Sequence, residues 1–174
     1  MSDEKPLVGV VMGSTSDSDV MQGCLDILKE LEVSHEIRVL SAHRTPDLTK
    51  DYAVSAAGRG IEIIIAGAGW AAHLAGFIAS QTTIPVIGVP IDSSPLKGID
   101  ALLSTVQMPP GIPVATVAVG SGGARNAAVL AVEILALKYP AFAEKLGVYR
   151  DELRQKAIYK ADIWAKQKKI ENPV

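Results

Sequence analysis

Ile61-Glu62-Ile63-Ile64-Ile65-Ala66-Gly67-Ala68-Gly69-Trp70-Ala71-Ala72-His73 is the stretch that decides the fold. A continuous β-branched run opens it. Such a run suits a strand covered on both faces, because each successive side chain points to the opposite side. Small residues and one histidine follow, as at the end of a parallel strand where the chain turns into a helix. Four more runs resemble it: Leu7–Met12, His35–Leu40, Pro85–Pro90 and Pro113–Val119. Most are continuous, not alternating.

Between the runs lie helical patterns. Asp17–Leu31 places Val20, Cys24, Ile27, Leu28 and Leu31 on one face, with Lys29, Glu30 and Glu32 toward water. Pro46–Arg59 follows Thr45, an expected N-cap, and stops near Gly58 and Gly60. Trp70–Ser80 is nearly uncharged and predicts a buried helix. Ala124–Lys138 is rich in small aliphatics and ends before Pro140. This alternation predicts an α/β fold: a three-layer α/β/α sandwich on a parallel five-stranded sheet. The expected strand order is flavodoxin-like, 2-1-3-4-5, though periodicity does not set it. We expect a single domain over 1–174, with a core of about 6–140. Residues 141–170 are helical in pattern but dense in charge around Leu153, Ile158, Ile163 and Trp164. They read equally as a C-terminal arm on another subunit and as a solvated terminal helix.

Composition narrows the function. The chain has 174 residues, 48% hydrophobic and only 5% aromatic, with 15 glycines, which favours packed parallel strands over an aromatic β-sandwich. A formal charge of −2 argues against electrostatic nucleic-acid binding. One cysteine, Cys24, precludes an intrachain disulfide framework and reads as packing on the first helix. No apolar run approaches the roughly 20 residues that span a bilayer. The opening Met1-Ser2-Asp3-Glu4-Lys5 has no signal-peptide pattern. The expectation is a cytoplasmic protein acting on a small molecule, with no membrane contact.

In open parallel sheets, ligands bind beyond the carboxyl ends of the strands. Polar residues gather there, and Gly13, Gly67, Gly69 and Gly120 fall where a ligand can approach the backbone. After the first strand, Gly13-Ser14-Thr15-Ser16-Asp17 offers hydroxyls and free N–H groups to a phosphate, and Asp17 suits sugar hydroxyls. Simple capping by Ser16 and Asp17 explains the same residues. After the second, Ser41-Ala42-His43-Arg44-Thr45-Pro46 pairs a planar guanidinium with a side chain able to move protons near neutrality. His73 reads equally as a ligand contact and as a hydrogen-bonded core histidine. Asp92-Ser93-Ser94 and Gly120–Asn126 close the fourth and fifth strands. No metal-ligand spacing and no nucleophile elbow appears.

Gly13-Ser14-x-Ser16-Asp17, Ser41–Pro46, the Ala66–Gly76 loop and Gln107-Met108-Pro109 occur in that order. Together they resemble the 5-(carboxyamino)imidazole ribonucleotide mutase family of purine biosynthesis, from about Leu7 to Leu137. The resemblance implies a flavodoxin-like fold and a homo-octamer, with the last helix reaching onto a neighbour. It also implies transfer of a carboxylate from the exocyclic nitrogen of an aminoimidazole ribonucleotide to ring C4, by release and recapture of CO2. No cofactor or metal is implied. By the same resemblance His43 is the general acid and base. Ser14, Ser16 and Asp17 bind phosphate and ribose, and Ser41 and Arg44 hold the phosphate. Gly69, Ala71, His73 and Leu74 line the pocket for base and carboxylate. Trp70 and Ala75 depart from the family pattern, which has Gly and Pro there. A direct CO2-dependent carboxylase of the same nucleotide and a non-catalytic nucleotide-binding module are the alternatives.

Overall fold

The computed structural model describes residues 5–168. Residues 1–4, and positions 169–170 of the expected arm, lie outside the described residues. Five parallel strands run in the order β2-β1-β3-β4-β5, matching the expected topology. They are β1 Val8–Met12, β2 His35–Val39, β3 Ile63–Gly69, β4 Val86–Ile91 and β5 Ala115–Thr116. The helices are α1 Ser18–Glu30, α2 Pro46–Arg59, α3 Leu74–Ala79, α4 Ile99–Val106, α5 Ser121–Ala136 and α6 Pro140–Lys168.

Successive residues of β1 and β3 serve opposite layers. Val8, Val10, Ile63 and Ile65 pack against α1, α5 and the start of α6. Val11, Ile64 and Ala66 face α2 and α3. Every residue of β1 and the first five of β3 are buried, which is why these runs read as continuous. β2 is an edge strand. Its Glu36 and Arg38 pair at the surface, and Ile37 and Val39 remain exposed.

Four expectations need correction. The fifth run forms a ladder only at Ala115–Thr116 instead of Pro113–Val119. It lies at the sheet edge and begins with Pro113, which has no N–H to donate. Val117 and Gly120 still donate to β4 carbonyls, so the chain follows the sheet past the formal strand. The helix expected over Trp70–Ser80 starts only at Leu74. Trp70 has a left-handed backbone (φ +53°), and His73 N–H bonds to Ala71 O at 2.7 Å in a tight turn. Thr45 makes no side-chain cap of α2. Its hydroxyl instead accepts from Ser41 N–H and donates to Ser41 O, closing the loop before the helix. Finally, the sequence reading omitted α4; ahead of it, the Ser94 hydroxyl donates to Asp100 of the helix and accepts from Leu96 N–H. The stop of α2 follows expectation: Gly60 adopts φ +100°, which glycine tolerates.

Cys24 is fully buried on the face of α1 that meets the sheet. Burial pushes its thiol up to about 12. Folded protein is therefore expected to give no reaction with a thiol reagent near neutral pH, and one thiol after denaturation. Prompt labelling of the native protein contradicts this placement.

α6 begins as core and then runs mostly at the surface, with Ala165 buried near its end. Phe142 and Leu146 join the α1–α5 layer, Tyr139 meets Phe142 edge-on, and Arg150 pairs with Glu133 of α5. Farther along, Leu153, Tyr159, Ile163 and Trp164 are exposed.

Candidate functional site

Strand register builds the site. Met12 stands beside Val39 on one side and Gly67 on the other, and Gly69 stands beside Ile91. The carboxyl ends of β1 to β4 thus open onto one cleft of about 510 Å³. All ten residues singled out in the sequence line it: Ser14, Ser16, Asp17, Ser41, His43, Arg44, Gly69, Ala71, His73 and Leu74.

The first loop forms a short 3-10 turn at Thr15–Asp17. Ser14 N–H bonds to Asp17 Oδ2 at 3.0 Å, while Ser16 N–H and the Ser16 hydroxyl bond to Ser14 Oγ at 3.3 and 3.0 Å. Capping is therefore present, by Ser14 and Asp17, and it clusters two hydroxyls at the cleft. A carboxylate accepts several hydrogen bonds, so the bond from Ser14 leaves Asp17 capacity for more.

Asp17 is itself buried. Burial raises its carboxyl above the usual range, against smaller lowering effects of the Ser14 N–H and the Arg44 charge. A raised folded value means stability that is complete below the unfolded value and lost as pH rises through the folded one. Asp17→Asn keeps an acceptor for Ser14 but has nothing to ionise. That variant is expected to melt higher than wild type at pH 7, with the gap closing as pH falls through the carboxyl range. A gap independent of pH, followed by calorimetry, contradicts the account.

Arg44 crosses from the second loop to the first. Its Nη2 donates to Gly13 O at 3.3 Å, and its N–H and Nε both donate to Ser41 Oγ, at 3.2 and 3.3 Å. The guanidinium is thus held against the first loop at Gly13, in the same cleft as Ser14 and Ser16, and Arg44 is exposed. Its planar fork and the two hydroxyls suit a phosphate.

His43 and His73 meet across the cleft. His43 Nε2 lies 2.7 Å from His73 Nδ1, and the rings stand edge to face with centroids 4.8 Å apart. One nitrogen must donate and the other accept, so a single proton lies between them. His73 is exposed, so the core-histidine reading of it falls away. Thirty residues separate the two histidines, and the sequence offered no sign of their contact.

Ser93 was missed as a site residue. It lines the cleft beside Gly69, where an added Cβ would come within 1.9 Å of Ser93 Oγ. The missing side chain at Gly69 is what admits the hydroxyl. The signal available in the sequence was the position of Asp92-Ser93-Ser94 at the end of the fourth run. By contrast, the fifth loop does not line the cleft. Gly67 is buried against Met21, and Gly120 (φ +79°) turns the chain into α5. Arg125 lies against Gly23 of α1. Among the described residues, no group of three or more His, Cys, Asp or Glu side chains is arranged to hold a metal ion.

Three comparisons bear on this geometry. Residues 7–156 match the family model described as AIR carboxylase. The N5-carboxyaminoimidazole ribonucleotide mutase of Pyrococcus abyssi is 58% identical, over 86% of this chain and 85% of its own. The protein of that name from Bacillus subtilis is 52% identical, over 91% and 98%. The crystal structure of Treponema denticola PurE superposes with a TM-score of 0.78 at 30% identity, over 90% of this chain and 97% of that one.

Proposed function

This chain belongs to the AIR carboxylase family, and from that premise we infer that it is an N5-carboxyaminoimidazole ribonucleotide mutase, an isomerase of purine biosynthesis. The observation that carries the reading is the union, in one cleft, of an anion-binding end with a proton-transfer end. Ser14, Ser16 and Arg44 form the first, and the His43–His73 pair forms the second. The relatives' names support a ribonucleotide substrate, and the two ends of the cleft support phosphate binding and proton transfer.

The phosphate rests on Ser14, Ser16, Ser41 and Arg44, and Asp17 accepts from the ribose hydroxyls. The base lies along Gly69, Ala71 and Leu74, where small residues let a flat ring approach the backbone. The substrate is a carbamate. Once His43 protonates the exocyclic nitrogen, the N–C bond breaks and CO2 leaves. The remaining aminoimidazole is an enamine, nucleophilic at C4. C4 attacks the CO2 held beside it, and His43 takes the C4 proton. One proton goes in and one comes out, so the reaction is a net isomerisation. His73 orients the His43 ring. Positioned general acid–base catalysis of this kind contributes about 10²–10⁴ in rate. The reaction as written needs no cofactor.

Carboxyl transfer is the direct test. Purified protein receives either the N-carboxylated nucleotide or aminoimidazole ribonucleotide with bicarbonate, and formation of the C4-carboxylate is followed. Preference for the first is expected. Preference for the second makes the protein a direct carboxylase, and no product from either makes it a binding module.

The exposed apolar residues of α4 (Leu96 just before it, then Ile99, Leu103 and Val106) and those of α6 favour the arm reading and self-association. We take the assembly to be the homo-octamer the family resemblance implies. Light scattering is expected to return eight times the chain mass, and a monomer overturns it. Among the described residues no helix is long and apolar enough to cross a membrane. We place the reaction in the cytoplasm, where a lone thiol such as Cys24 stays reduced.

A further inference from the structure

Trp70 stands at the mouth of the cleft on a backbone that its side chain disfavours. Its φ is +53°, and Glu32 and Lys97 are the other described non-glycine residues in that region. Flanking packing holds it there. Ala72 and Leu74 are buried, the Ala71–His73 turn is hydrogen-bonded, and Gly69 is fixed beside Ile91 in the sheet. Trp70 is among the residues that line the cleft, and it is 59% exposed. No other large apolar side chain stands at the rim, since Leu74 lies at the base with 2% exposure. A bulky side chain held on a strained backbone beside a cleft is the pattern of a functional position.

The proposed chemistry creates a need at that place. Between breaking of the N–C bond and formation of the C–C bond, CO2 is free in the cleft. It either meets C4 or leaves. A flat apolar cover over a flat heterocycle excludes water and blocks the exit. We propose that the Trp70 indole is this cover: it lies over the aminoimidazole ring and holds the released CO2 at C4 until the new bond forms. The inference rests on the mutase reading above. It concerns the partition of CO2 between recapture and escape, not the capacity to react.

The test uses the full chain as wild type, Trp70→Gly and Trp70→Phe. Glycine favours this φ, so Trp70→Gly removes the indole without forcing the backbone to move. Each protein receives the N-carboxylated nucleotide in buffer containing ¹³C-bicarbonate. Free aminoimidazole ribonucleotide, corrected for spontaneous loss without enzyme, is measured together with ¹³C in the C4-carboxylate. Wild type is expected to release little and to incorporate little label. Trp70→Gly is expected to raise both by about three- to tenfold, the factor an aromatic contact is worth, and Trp70→Phe by less. Equal partition in all three proteins overturns the proposal. So does a drop in oligomeric mass for Trp70→Gly with no leak from Trp70→Phe, which makes Trp70 a subunit contact. If wild type forms no C4-carboxylate, the failure lies with the mutase reading and not with the cover.

Discussion

His43→Asn protein is expected to bind an aminoimidazole ribonucleotide and not to turn it over. Asparagine keeps a side chain of similar reach and a hydrogen-bonding end, but it neither gives nor takes a proton at neutral pH. Both halves of the proposed reaction need that proton: one delivered to the exocyclic nitrogen, one removed from C4. The expected loss in kcat is at least the 10²–10⁴, roughly, that a positioned acid–base group supplies. On the proposed reading affinity resides elsewhere in the cleft, on Arg44, Ser14, Ser16, Ser41 and Asp17, all of which line it. Their mutual bonds, Arg44 to Ser41 and Gly13 and Ser14 to Asp17, do not involve His43. Titration calorimetry with the nucleotide should therefore return a Kd near that of wild type. Activity near wild type removes His43 from the mechanism. Loss of binding together with activity makes it a binding residue instead.

The Gly123→Ala protein is expected to lose a large part of its stability. A Cβ at Gly123 would lie 1.6 Å from the Ala118 carbonyl oxygen and 2.5 Å from its carbon. Both are backbone atoms, so no rotamer change relieves the clash. Gly123 sits in the first turn of α5, and that turn must shift away from the chain leaving β5. The shift propagates, because Ala124, Ala127, Ala128 and Ala131 form the buried face of α5. Overpacking at a site that can yield costs about 1–3 kcal/mol, and a backbone clash belongs at or above the top of that range. Urea unfolding should show a midpoint well below wild type. Its neighbour supplies the control. Gly122 is also helical, with nothing within 4 Å of an added Cβ. Gly122→Ala should be neutral or stabilise by up to about 1 kcal/mol, since alanine is the better helix former. Equal midpoints for the two variants refute the close-approach account.

The two glycines show where reading the sequence stops. Adjacent and identical, they differ only in what the fold brings near them. The same limit appears at Trp70, whose place in an uncharged run suggested a helix. Its left-handed φ follows from the turn between Gly69 and buried Leu74. Ser93 was visible as a polar residue at a strand end, but its entry to the cleft depends on the absent side chain of Gly69 across the sheet. The buried runs were legible because burial on both faces leaves a continuous apolar signature. The β5 run misled because an edge strand that begins with proline forms fewer ladder bonds than its apolar length suggests.

By itself, the sequence determined the layered α/β class, the two-faced burial of β1 and β3, and the chemistry present in each loop. These are local properties, carried by side-chain period and by which residue types follow a strand. Tertiary structure alone decided which loops meet. Parallel register aligns the ends of β1 to β4, so His43 reaches His73 and Arg44 reaches Gly13, while the fifth loop turns away toward α1. Distances between residues thirty apart arise from strand pairing and packing, and no local pattern encodes them.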